Sequence, residues 1–191
     1  MTWRFSKIED YVKNNMSTKR WRHVQGVMET AKTLAERHGV DATHAELAAL
    51  VHDVEKEQDL EVAKQILTKR GEDGYLMNSS KIWHAPIGAF VAREVFGIEV
   101  DDICNAIKFH TTGRAGMSSL EKVLFIADYT EPNRTFAGCV TVRDLWDELD
   151  RAVYEILKQK VEKVTTLGLG IHPDTLDAYE YYKRILGDDG I

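Results

Sequence analysis

Apolar residues recur at helical spacing along almost the whole chain of 191 residues, and this periodicity constrains the fold more than any other feature. No segment shows the sustained alternation of β-branched and polar residues that is typical of a strand. The periodic segments cover residues 7–14, 18–38, 43–53, 59–70, 85–96, 101–110, 118–129, 141–166 and 173–186. The sequence therefore predicts an all-α fold.

Residues that favour helix ends lie at the borders of these segments. Gly39 follows the second segment and suits a left-handed C-cap. Thr43 and Glu46 have the spacing of a capping box, and so do Ser118 and Glu121. Both pairs predict that a helix begins beside them.

The length suits one compact domain with a substantial core. We find no internal repeat and no linker rich in Gly, Ser or Pro. Hydrophobic residues make up 43% of the chain and charged residues 29%, as in soluble globular proteins rather than disordered ones. We therefore predict a single domain across residues 1–191.

The net charge of −6 argues against a polymeric nucleic-acid partner, because no broad basic field is available to hold a phosphate backbone. A small phosphorylated ligand remains compatible with this charge, since a few local cations or a metal ion can hold it. Residues 1–10 lack the apolar run of a signal peptide, and no later segment approaches the length of a membrane span. We expect a cytoplasmic location and no membrane partner. Cys104 and Cys139 form no CxxC pair and are expected to be packing residues.

Histidines and aspartates form a series along successive predicted helices. The series consists of His23, His52, Asp53, His84, His110 and Asp128. A lone His-Asp pair carries little weight, but several members of this series align with apolar neighbours at helical spacing and point inward. An uncompensated carboxylate beside Leu124 and Phe125 would be costly, and a bound cation removes that cost.

Any one of these residues, taken alone, is also compatible with a hydrogen-bonded core histidine or a buried salt bridge. Together they favour a metal cluster, because otherwise each would demand its own polar partner. Six ligands are too many for one open site, which favours two ions. Imidazole and carboxylate ligands without thiolates suit iron, manganese or zinc. Two close ions can polarise a phosphate and generate hydroxide.

The six residues resemble the metal ligands of dinuclear HD-domain phosphohydrolases, and the surrounding motifs resemble one branch, the bacterial YqeK family of symmetrical diadenosine-tetraphosphate hydrolases. The motifs are Arg20-Trp-Arg-His23, His52-Asp-Val-Glu-Lys56, His84-Ala-Pro-Ile-Gly88, His110-Thr-Thr-Gly-Arg114 with Gly116-Met117, Ala127-Asp-Tyr-Thr-Glu-Pro-Asn-Arg134 and Ile171-His-Pro-Asp-Thr175. They span a motif-bearing core of about residues 18–175.

The resemblance implies an HD-domain helical bundle around a di-iron centre. It implies that one ion is held by His23, His52, Asp53 and Asp128, and the other by Asp53, His84 and His110. Asp53 would bridge the two ions. The implied reaction cleaves diadenosine tetraphosphate to two molecules of ADP through a metal-bound hydroxide.

Further residues are candidates for contacts with the substrate. The cations Lys56, Arg114 and Arg134 are candidates to offset polyphosphate charge, with Lys56 and Arg114 expected to act in catalysis beside Asp53. Thr111 and Thr112 could supply hydroxyls and backbone donors to phosphate. His172 is a candidate contact to a base or ribose. Without the resemblance, the cations would be read as solvated charges or ion pairs.

Other functions compete with this interpretation. Another HD phosphohydrolase, acting on a nucleoside monophosphate, a deoxynucleoside triphosphate or a guanosine alarmone, would share the metal chemistry. A di-iron carboxylate bundle would need Glu-x-x-His motifs, which are absent. A nucleotide-sensing module without hydrolysis is disfavoured by the complete ligand series. A homodimer is expected from the family and from the apolar residues Trp3 and Trp146.

Overall fold

The computed structural model describes residues 4–187 and confirms the all-α class. Its helices are α1 (Phe5–Asn14), α2 (Thr18–His38), α3 (Ala42–Val51), α4 (Leu60–Lys69), α5 (Asp73–Leu76), α6 (His84–Glu94), α7 (Asp101–Phe109), α8 (Ser119–Thr130), α9 (Ala137–Arg143), α10 (Leu149–Thr166) and α11 (Pro173–Leu186). A 3₁₀ turn, Ser80–Ile82, precedes α6. No strand occurs within the described part of the chain.

One large core joins most of the helices. Helix α2 packs on α3 and α8, while α7 packs on α3, α6 and α8, and α10 covers α8 and α11. Leu34, Leu50, Ile107, Leu124 and Leu157 are fully buried at these contacts. The helices that carry the histidine and aspartate series therefore pack directly on one another.

A smaller apolar cluster lies beside this core, between α4, α5 and the start of α6. It contains Ala63, Leu67, Tyr75 and Ile87. The prediction of one domain over the whole chain stays a prediction, since the ends of the chain lie outside the described residues.

Several predicted helix ends are confirmed. Gly39 has φ 66° and terminates α2 in the left-handed conformation. Ser118 Oγ accepts a hydrogen bond from the backbone N–H of Glu121 at 3.1 Å. Helix α3 begins at Ala42, beside Thr43 as predicted, but its cap is the side chain of Asp41, which accepts from the backbone N–H groups of Thr43 and His44.

The predicted helix over residues 141–166 is interrupted. The structure divides it into α9 and α10, with a turn at residues 144–148. Arg143 at the break donates to the carbonyls of Thr130, Glu131 and Arg134. These tertiary contacts hold the end of α9 against the end of α8, which periodicity alone does not reveal.

The cysteines, the lengths of the helices and the tryptophans bear on three further predictions. Cys104 and Cys139 are buried and unpaired, as expected of packing residues. No helix within residues 4–187 is long and apolar enough to cross a membrane. Trp3 lies outside the described residues, and Trp146 packs partly buried against the core of its own chain. The homodimer therefore stays a prediction.

Candidate metal centre

Six side chains of the series meet where α2, α3, α6, α7 and α8 converge. His23 projects from α2 and Asp128 from α8. His52 and Asp53 lie in the turn that follows α3, rather than within the helix as the sequence predicted. His84 is the first residue of α6, and His110 directly follows α7. The structure brings all six residues of the series together.

One group of donor atoms belongs to His23, His52 and Asp53, which lie within 4.8 Å of one another. Asp53 Oδ2 is 3.6 Å from His23 Nε2 and 3.5 Å from His52 Nε2. Asp128 adjoins this group, since its Oδ1 lies 3.1 Å from His23 Nε2 and 4.0 Å from His52 Nε2. Four side chains thus surround one position.

A second group consists of Asp53, His84 and His110. Asp53 Oδ1 lies 3.0 Å from His84 Nε2 and 3.7 Å from His110 Nε2. The two imidazole Nε2 atoms are themselves 3.1 Å apart. Asp53 therefore presents one carboxylate oxygen to each group, which is the arrangement of a bridging ligand.

Hydrogen bonds orient three of the imidazole rings. In His52, the Nδ1 atom lies 2.6 Å from the carbonyl oxygen of Ala49. In His110, the Nδ1 atom lies 2.7 Å from the carbonyl oxygen of Ile107. Nδ1 of His23 lies 3.1 Å from Glu131 Oε1. Because these partners are acceptors, they place the ring proton on Nδ1 and leave the Nε2 lone pair directed into the cluster.

Within residues 4–187, the buried Nε2 atom of His52 has no hydrogen-bond partner, although buried polar atoms rarely lack one. The Nε2 atom of His23 lies 3.1 Å from Asp128 Oδ1. A cation at the first group would satisfy the nitrogen of His52 and would also accept the lone pair of His23. Neutral imidazoles with carboxylates and no thiolate are a donor set that suits a first-row divalent metal. The residues present therefore fit a metal centre.

Burial and neighbouring charges set the protonation states that metal binding needs. Burial lowers the pKa of His52 and of His84 to about 4, so both rings are neutral near pH 7. Burial alone would raise the pKa of Asp53, but hydrogen bonds and charges of His52, His110 and His84 bring it well below the ordinary value. Asp53 is therefore an ionised ligand.

Asp128 and His23 form a coupled pair. Burial would raise the pKa of Asp128, but the neighbouring histidines, with His23 first, lower it well below its usual range. Burial likewise lowers the pKa of His23, while the hydrogen bond and charge of Asp128 outweigh this effect and raise it. Without a cation, this pair retains a proton that a metal ion would displace.

Three cations contact the cluster. Arg20 Nη1 donates to Asp53 Oδ2 at 2.7 Å, and Arg134 Nη2 donates to Asp128 Oδ1 at 3.2 Å. Lys56 Nζ donates to the carbonyl oxygen of Lys81 at 3.1 Å and lies 3.3 Å from His84 Nδ1. Burial lowers the pKa of Lys56. Two of the three predicted phosphate-binding cations thus lie at the cluster.

Arg114, the third predicted cation, has a different environment. Its Nε and Nη2 atoms donate to the buried carboxylate of Glu121 at 2.8 and 2.6 Å, and its guanidinium lies 5.3 Å from the centre of the Phe109 ring. None of its ion pairs among the described residues reaches the metal-binding cluster. Its predicted role in catalysis and phosphate binding stays a prediction.

Thr111, Thr112 and His172 lie on one side of the cluster. Thr111 and His172 line a cavity that also reaches Asp128. Thr112 is buried, and its carbonyl oxygen accepts from Thr175 Oγ1 at 2.9 Å. The side chain of His172 caps α11 by accepting from the backbone N–H of Asp174.

Comparisons with known proteins agree with this geometry. The model of the HD domain family matches residues 20–133. The Bacillus subtilis protein named "Bis(5′-nucleosyl)-tetraphosphatase, symmetrical" is 39% identical to this chain, and the match covers 89% of this chain and 92% of the relative. The protein of that name from Halalkalibacterium halodurans is 42% identical, over 91% of this chain and 94% of the relative. The chain belongs to the HD-domain family.

A solved structure supports the same conclusion. The crystal structure of a "predicted HD superfamily hydrolase involved in NAD metabolism" from Clostridium acetobutylicum is 39% identical and has a TM-score of 0.92, with 97% of this chain and all of that chain covered. Within the HD-domain family, the relatives from Bacillus subtilis and Halalkalibacterium halodurans group this chain with the symmetrical tetraphosphatases. The prediction that it is a hydrolase is confirmed.

Three residues around this HD-domain site were not among the predicted ones. Arg20 stands in the first family motif, but its ion pair with Asp53 depends on the fold. Glu131 stands in the same motif as Asp128, but its contact with His23 also depends on the fold. Lys160 belongs to a lysine-rich stretch whose composition predicts a solvated surface, but its spacing places it on the same helical face as Val153 and Leu157. This spacing is the feature of the sequence that could have identified Lys160.

Proposed function

We propose that this chain hydrolyses diadenosine tetraphosphate to two molecules of ADP at a dinuclear centre, with iron as the metal. The proposal is supported by the named activity of relatives that match nearly the whole chain. The single observation that carries it is the position of Asp53, whose two carboxylate oxygens face two separate groups of donors. Manganese and zinc also suit these ligands.

In this proposal His23, His52, Asp53 and Asp128 hold one ion, and Asp53, His84 and His110 hold the other. Two such ions, when bound, polarise phosphate oxygens and lower the pKa of a water molecule enough for it to attack phosphorus. The acceptors on Nδ1 keep the rings of His23, His52 and His110 in one orientation. The chain thereby prepares the donor atoms before substrate arrives.

The cations beside the cluster would bind the polyphosphate. Arg20, Lys56 and Arg134 surround the carboxylates, and each carries N–H groups that can donate hydrogen bonds to phosphate oxygens. Their charges would offset the negative charge that accumulates on the bridging oxygen as the central anhydride breaks. Because these side chains are already held by the carboxylates or by a backbone carbonyl, little reorganisation is required.

Product analysis with metal content measured in parallel tests the proposal. We expect ADP as the sole nucleotide product from diadenosine tetraphosphate, with two metal ions per chain. A panel with a nucleoside monophosphate, a deoxynucleoside triphosphate and a guanosine alarmone tests the other HD activities. Inertness toward diadenosine tetraphosphate in a protein with two ions bound would refute the proposed substrate.

A further inference from the structure

Two cavities open beside the cluster, and their linings differ in character. The first has a volume of about 290 Å³, reaches Asp128, and is bordered by Val164, Leu167, Leu169 and Ile171. Leu167 is 60% exposed and Leu169 is 52% exposed. Neighbouring apolar side chains held open to solvent are typical of a binding surface. This first cavity suits a flat group of low polarity, such as a nucleobase.

Polar groups complete the lining of the first cavity. Lys160 Nζ donates to the carbonyl oxygen of Thr111 at 2.6 Å, which leaves further ammonium hydrogens for a ligand. The hydroxyl of Thr111 is buried and has no hydrogen-bond partner in the described part of the chain. The ring of His172 lies 4.5 Å from that of Tyr75 at the same cavity. A nucleoside phosphate directed toward Asp128 would use these donors.

The second cavity, of about 390 Å³, adjoins His23 and is strongly cationic. Lys19, Arg20, Arg22 and Arg134 line it beside the single carboxylate of Glu131, and no aliphatic side chain of the described residues does so. Within residues 4–187, the Nε atoms of Arg20 and Arg134 are buried without a hydrogen-bond partner, while their Nη atoms donate to Asp53 and Asp128. Guanidinium groups suit phosphate oxygens, because they present several donors in one plane. The second cavity offers net positive charge and no aliphatic side chain on which a base could pack.

We infer that the enzyme requires a nucleoside at only one end of its substrate. One adenosine occupies the first cavity, while the far half of the polyphosphate is held in the second cavity through its phosphates alone. The inference rests on the proposed function and extends it to another substrate class, the nucleoside 5′-tetraphosphates. Adenosine 5′-tetraphosphate should therefore be cleaved.

Adenosine 5′-tetraphosphate would be hydrolysed by the same step as the dinucleotide. The oxygen of water bonds to one of the two central phosphorus atoms, and the bond from that phosphorus to the central bridging oxygen breaks. The bridging oxygen leaves with the other phosphorus, and the displaced proton passes to solvent. Either choice of phosphorus yields ADP and pyrophosphate.

Three substrates test the inference in the metal-loaded enzyme: diadenosine tetraphosphate, adenosine 5′-tetraphosphate and inorganic tetraphosphate. We expect kcat/KM for the first two to agree within about tenfold, and that for inorganic tetraphosphate to be lower by about a hundredfold or more. A larger loss for adenosine 5′-tetraphosphate, with the dinucleotide still cleaved, overturns the inference alone. Equal cleavage of inorganic tetraphosphate also overturns it. Inertness toward the dinucleotide removes the proposed function and the inference together.

Variants provide a second test. Val164→Trp, which fills the first cavity, should weaken ADP binding in calorimetry and lower kcat/KM for both adenosine substrates by the same factor. Val62→Trp, at an exposed valine of α4, is the matched control and should change neither. The double variant Lys19→Ala, Arg22→Ala should also affect both substrates equally. A loss confined to diadenosine tetraphosphate would assign the second cavity to the second adenosine and contradict the inference.

Discussion

The carboxylate of Glu131 supports the imidazole of His23, with Oε1 of the acid 3.1 Å from Nδ1 of the ring. The other oxygen of Glu131 accepts from the backbone and side chain of Asn133. Glu131 is therefore fixed from one side and orients the ring on the other. Through this contact, a residue that holds no metal determines the direction of a ligand's lone pair.

Glu131→Gln should weaken metal binding at the first group without unfolding the protein. An amide is a weaker acceptor and can also rotate its NH₂ group toward His23, so we expect a loss of affinity of roughly 10- to 100-fold. Metal titration of the metal-free protein measures it, with Glu148→Gln as an exposed control. Unchanged affinity would show that Glu131 does not orient His23.

Gly26→Ala should disturb the same contact from a different direction. A Cβ at Gly26 would lie 2.5 Å from Glu131 Oε2 and 3.2 Å from Asn133 Nδ2, so the carboxylate must move. Alanine favours a helix by about 1 kcal/mol over glycine, but here the clash opposes that gain. We expect weakened metal binding, while Gly74→Ala, which has open space, serves as control. Wild-type affinity in Gly26→Ala would contradict the placement of Glu131.

Arg114→Ala should destabilise the fold, because it leaves the buried Glu121 carboxylate unpaired. We expect a loss of about 3 kcal/mol in the free energy of unfolding, measured by urea denaturation. In the double variant Arg114→Met, Glu121→Met, stability should recover while activity stays low, because the predicted contact of Arg114 with the substrate is still missing. Full activity in a stable double variant would limit Arg114 to its structural pair with Glu121.

The metal-free protein should lose stability as the pH falls from about 6.5 toward 4. Burial lowers the pKa of His52 and His84 to about 4, so the unfolded chain binds more protons than the folded one in this range. Each ring contributes up to about 3 kcal/mol across this range, whereas the raised pKa of His23 changes stability only above about pH 6.5. Thermal melts after chelation measure the effect. A melting temperature that rises on acidification would contradict these protonation states.

The sequence allowed much of the fold to be predicted, because the helices are amphipathic and their ends carry local signals. Ser118 and Gly39 act as their residue types suggest. The short helices α5 and α9 were missed because so few residues show no clear period. The break before α10 depends on Arg143, whose partners Thr130 and Glu131 lie at the end of α8.

The six members of the series could be predicted because their residue types are chemically distinctive and fall on faces that pack together. The residues around them were harder to predict. Lys160 and Arg20 are ordinary surface types, and only tertiary packing brings them to the cluster. Conversely, Arg114 lies in one of the family motifs, but it pairs with Glu121. The spacing of the two residues does not reveal this contact.

The metal content of Asp53→Ala decides whether Asp53 bridges two ions. Both donor groups contain Asp53, so its removal should cost both ions and nearly all hydrolysis of diadenosine tetraphosphate, while the helical circular dichroism signal of the protein is preserved. The ions are counted by elemental analysis of the purified variant beside the wild type. Near-complete loss of metal from a folded variant is the predicted result. Two ions per chain in that variant would contradict the account.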